Sequence, residues 1–96
     1  MATYSLNSTI KISAAINVTG ANPSYSVPAN SYAIVNCYGG TGGWGVLING
    51  SSTAYINGTS NPNALVTIYV GPSQTIQLSG APVGSSLTGV EFINSP

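Results

Sequence analysis

The 96 residues predict an all-β chain: a single small β-sandwich of seven or eight short antiparallel strands, with a jelly roll as the first choice within that class. Three observations carry this reading. Apolar and polar residues alternate at period two through most of the chain. Gly, Pro and Asn punctuate it at strand spacing, about every 8–12 residues. Apolar stripes at helical spacing are missing, and strong helix formers are scarce. The length allows one domain, residues 1–96, and a chain this short buries only roughly 60–70% of its unfolded surface. Its core must be thin, as between two sheets packed face to face.

The first strand lies within "SLNSTIKISAAINVT", where Ile10, Ile12, Ala14 and Ile16 fall on one face and Lys11, Ser13 and Ala15 on the other. "ANPS" breaks it, "YSV" is a short strand, and "PAN" turns the chain again. In "SYAIVNCY", Ala33, Val35 and Cys37 form the core face, opposite Tyr32, Ile34, Asn36 and Tyr38. "WGVLI" and "TAYI" follow. Asn49-Gly50 and Asn57-Gly58 close the near-copies "LINGSS" and "YINGTS", and Asn-Gly is the strongest short hairpin signal. This part reads as a local meander. "ALVTIYV" is the richest strand in β-branched and aromatic residues. "GPS" turns it into "QTIQL", where Thr75, Gln77 and Ser79 alternate with Ile76 and Leu78. In "LTGVEFIN", Leu87, Gly89, Glu91 and Ile93 oppose Thr88, Val90, Phe92 and Asn94.

Composition narrows function. Lys11 and Glu91 are the only charged side chains, and the chain has no histidine. One lysine cannot neutralise a phosphate backbone or hold an anionic membrane, so neither nucleic acid nor membrane is an expected partner. The N-terminus has no basic and apolar leader, and no apolar run reaches membrane-span length. The four N-x-S/T triplets, at Asn7, Asn17, Asn49 and Asn57, follow from the abundance of Asn, Ser and Thr. With zero net charge there is little to keep copies apart, so the chain is expected to work inside an assembly. Sheet edges are usually guarded by lysine, proline or bulges. One lysine cannot guard them all, which points the same way.

Catalysis lacks its groups. Glu91 has no second carboxylate, Cys37 has no histidine base, and together they cannot form a metal shell. A Ser–Lys pair with Lys11 is the only formal arrangement left. No enzyme, cofactor or metal is expected, and Cys37 reads as a small buried hydrophobe. Binding remains. Six tyrosines and one tryptophan among many Ser, Asn and Gly residues suit polar recognition. Trp44 stacking on a sugar is one reading. The other places Tyr32, Tyr55 and Tyr69 at strand ends and subunit contacts.

"YSVPANSYAIVNCY" resembles the Val-Pro-Ala-x-x-Tyr-Ala-Ile-Val opening of small jelly-roll domains in tailed-phage virion proteins. "IYVGPSQTIQLSG" is similar to the Val-Gly-Pro-x-Gln-Thr-Ile hairpin of the same domains, and the two cover about a quarter of the chain. Such domains cap tail fibres and spikes or decorate heads as cement proteins, commonly as trimers. The chain begins with its own methionine, ends just after the last strand, and carries no shaft, collagen-like region or coiled coil. The resemblance therefore implies a head decoration protein on the capsid surface, made in the host cytoplasm. It would act as a homotrimer docked on the major capsid protein or another virion protein. A glycan- or receptor-binding fibre tip is the alternative.

"GGTGGWG" spells G-x-G-x-x-G from Gly40 to Gly45, but a dinucleotide loop needs a helix after it and an acid about 20 residues on. Two strands follow instead, and "NPNALVTIYV" holds no acid. The glycines are expected to let backbone close around Trp44 or pack at a symmetry axis. Tyr38, Thr41, Trp44 and Tyr55 are the candidate contact surface.

Overall fold

A computed structural model describes residues 9–40, 42–57 and 64–95. Eight strands form in it: β1 Thr9–Thr19, β2 Ser24–Ser26, β3 Tyr32–Tyr38, β4 Gly43–Ile48, β5 Ser51–Asn57, β6 Val66–Val70, β7 Thr75–Ser79 and β8 Ser86–Ser95. Among the described residues there is no helix. One sheet has the order β1-β8-β3-β6 and the other β2-β7-β4-β5. The pairs β1/β8, β2/β7, β3/β6 and β4/β5 are nested and antiparallel. Nested pairing is what a long two-stranded ribbon gives when it is rolled into two layers, so the sandwich is a jelly roll.

The ribbon's apex is the β4–β5 hairpin. Asn49 and Gly50 both have positive φ, 51° and 82°, as a type I′ turn requires. The second Asn-Gly does not continue a meander: β5 and β6 lie in different sheets, and Gly58 lies outside the described residues. β6 pairs with β3 instead, setting Val70, Ile68 and Val66 beside Ala33, Val35 and Cys37. This extends the apolar inner face of β3 on the side away from β8, which a local meander would leave open. "GPS" likewise carries the chain between sheets, since β6 and β7 do not pair. The turn is held by the Gly71 N–H, which donates to Gln74 Oε1 at 2.8 Å.

Register explains the core. Across the first sheet the inner rows read Ile16–Gly89–Val35–Ile68 and Val18–Leu87–Cys37–Val66. In the second sheet, Leu78, Val46 and Ala54 share a row. Val35, Cys37, Val46, Leu78, Ile76 and Leu87 are fully buried. The alternation expected for β3, β7 and the first half of β8 is borne out. Gly89 sits where β8 crosses β3; its φ is +153°, and a Cβ there would run into the Ile34 carbonyl oxygen.

β1 departs from expectation. The register shifts between Ile12 and Ala14, so Ser13 is an extra residue, a β-bulge. Ile12 pairs with Phe92 and Ala14 with Glu91, which face opposite ways. The bulge therefore inverts the strand: Ile16 is buried, whereas Ile12 is 72% exposed on the outer face. The side chain of Ile10 lies outside the described residues.

Candidate contact surface

The bulge also serves the only acid. Glu91 points inward and is 7% exposed. Ser13 Oγ donates to its Oε1 at 3.0 Å, and Tyr25 Oη donates to Oε2 from the opposite sheet. Burial first, then the bond and the negative charge of Glu91, push the Tyr25 hydroxyl up to about 12. A lone inward carboxylate held by two hydroxyls ties the sheets together and offers nothing to a substrate outside. Cys37 is buried too, and desolvation pushes its thiol up to about 11. That opposes thiolate formation and nucleophilic use. Among the described residues, no group of three His, Cys, Asp or Glu gathers, and no pocket opens.

Of the four residues singled out from the sequence, the fold separates Trp44 from Tyr55. Trp44 is 1% exposed and belongs to the core. Its indole lies on Gly39, where a Cβ would overlap the ring; this is the tight backbone closure expected of the glycine stretch. Its Nε1–H finds no hydrogen-bond partner among the described residues. Buried this deeply, Trp44 cannot present a stacking face. Tyr55, across from Gly45, is 73% exposed and reaches over Gly43, where a Cβ would meet its hydroxyl. Tyr38 is half-buried at the end of β3, and Thr41 lies outside the described residues. On the outer face of the second sheet Tyr55 shares a row with Gly45 and Ser79, and the next row is Ser52–Leu47–Gln77–Ser24.

The outer face of the first sheet divides into two halves. One half carries the rows Asn17–Thr88–Asn36–Thr67 and Thr19–Ser86–Tyr38. The other carries Ile12–Phe92–Tyr32 and Ala15–Val90–Ile34–Tyr69. Tyr32 and Phe92 stack at 5.8 Å with 20° between their planes. Tyr32 and Tyr69 are 39% and 78% exposed. This apolar band crosses all four strands and contains no charge. The β1 bulge hides it from the sequence, where alternation sets Ile12 on the same face as Ile16. The signal available was the apolar residues on both faces of β3 and β8.

No family model, curated protein or solved structure matches the chain.

Proposed function

We propose that the chain is a non-enzymatic structural virion protein, a head decoration (cement) protein of a tailed phage that docks on the capsid surface as a homo-oligomer and stabilises it. One observation carries the reading: the outer faces of a jelly roll are neutral, with the only carboxylate turned into the core and a band of apolar side chains left outside. Such a surface adheres by apolar burial and hydrogen bonds, and its solubility depends on being covered. The phage resemblance of the two quoted segments supplies the setting. Its major capsid protein is the partner, and the host cytoplasm is where the chain is made. Co-sedimentation with phage heads stripped of decoration tests this: saturable binding at a fixed ratio to capsomers is expected, and heads that pellet without the chain overturn it.

A second reading, a glycan-binding tip, rests on Tyr55. With Trp44 buried, Tyr55 is an exposed ring on the second sheet, in a row that runs through Gly45 to the Ser79 hydroxyl. A sugar screen of the wild type beside Tyr55→Ala separates the readings. Sugar binding lost in the variant would favour the tip; no bound sugar would remove it.

A further inference from the structure

The four sheet edges are not equally protected. β1 carries Lys11 and the Ser13 bulge. β2 is three residues long and stands between Pro23 and Pro28. β5 is bulged, with Thr53 extra between Ala54 and Ser52. Each is a known way of blunting an edge. β6 is the least guarded: Pro72 follows it as Pro28 follows β2, but its register with β3 is unbroken over five residues, and the strand itself holds no charge, proline or bulge. Among the described residues nothing pairs with its outer side. Leu65, just before the strand, and Tyr69 within it are 67% and 78% exposed.

We infer that β6 is the contact between copies, pairing antiparallel with β6 of a second copy about Ile68. The strand is its own complement. Centred on Ile68, this register sets Val66 opposite the partner's Val70 and Thr67 opposite the partner's Tyr69. Inward residues meet inward residues and outward meet outward, so both faces continue unbroken across the join. Neither strand carries charge, so nothing repels. The joined sheet has eight strands, and on its outer face the apolar row that ends at Tyr69 in each copy runs on into the partner's polar row at Thr67. The contact is isologous: it uses up the least guarded edge and closes at two copies. A cyclic trimer, the state the phage resemblance implies, would instead need β6 to meet a different strand.

The inference stands apart from capsid docking and is measured apart from it. Sedimentation of the free full-length chain over a concentration series is expected to approach twice the 9.6 kDa of one chain. Thr67→Lys/Tyr69→Lys places like charges opposite each other across the join and is expected to raise the midpoint concentration at least about tenfold. Both side chains are exposed, so the fold should survive, and buried Trp44 emission checks it. Ser24→Lys, on the guarded edge β2, is expected to leave the dimer intact. Hydrogen exchange needs no variant: β6 amides should slow as wild-type concentration rises. A wild type monomeric throughout, a trimer, a dimer indifferent to the double variant, or β6 exchange independent of concentration would each overturn the pairing. Heads that bind or refuse the chain bear only on the function proposed above.

Discussion

Tyr25 on β2 donates a hydrogen bond to Glu91 on β8, so the chain's only acidic side chain joins one sheet to the other through the core. Ser13, the bulge residue of β1, donates to the same carboxylate. One irregularity thus turns Ile12 outward and gives Glu91 its second donor. A buried charge without such donors would be strongly destabilising.

Removing the Tyr25 hydroxyl is therefore expected to destabilise the fold. Tyr25→Phe should cost about 1–2 kcal/mol, below the full range for a bond to a charge because Tyr25 is only partly buried. Tyr25→Phe/Glu91→Leu should recover part of the loss, since no carboxylate is then left underbonded. Urea titration of Tyr25→Phe, Glu91→Leu and the double variant measures these values. A double variant as unstable as the sum of its singles would contradict the link.

Burial, together with the same bond at Tyr25, sets an alkaline limit. Folding raises the Tyr25 hydroxyl from 10.0 to about 12 and the Cys37 thiol from 9.0 to about 11. The folded state holds these protons longer than the unfolded state, so stability falls as pH rises through each window. Thermal midpoints are expected to drop between pH 9 and about 12. In Tyr25→Phe the upper part of that drop should shrink.

Thiol chemistry gives an independent check on burial. Cys37 is 0% exposed, so an aromatic disulfide reagent should react with it only as the protein unfolds. Prompt native labelling would contradict its place in the core.

Substitutions along β1 test the bulge. Ile16→Ala should cost about 2–5 kcal/mol as a core truncation, whereas Ile12→Ala should stay within about 0.5 kcal/mol. Equal losses would return Ile12 to the core face and remove the bulge.

Gly39→Ala addresses the glycine stretch. A Cβ at Gly39 would occupy the space of the Trp44 ring, so the indole must shift. Loss of stability with red-shifted Trp44 emission is expected, because the ring moves toward water. An unchanged spectrum would mean that Gly39 does not pack on it.

The strands themselves were legible in the sequence because their signals are local. Alternation in "SYAIVNCY" and "QTIQL" states which side is buried, and Asn49-Gly50 announces its own turn. The nested pairing was legible only as a class, since each partnership beyond β4–β5 joins distant segments. Ile12 was misplaced because a bulge adds one residue without a marking Gly or Pro. Among the contact candidates, Tyr55 is exposed, as a surface residue should be. Trp44 is not, because the glycines that mark a flexible loop in sequence here admit a large ring into the core. The least guarded edge, β6, became visible only once the strand order was known.

Salt dependence tests the central claim most directly: that this protein associates through neutral surfaces. Sedimentation equilibrium of the wild type can run from about 0.01 M to 1 M sodium chloride, where the screening length falls from about 30 Å to 3 Å. With Lys11 and Glu91 the only charged side chains, and Glu91 buried, the oligomer is expected to hold its mass across the whole range. Dissociation as salt rises would contradict that claim.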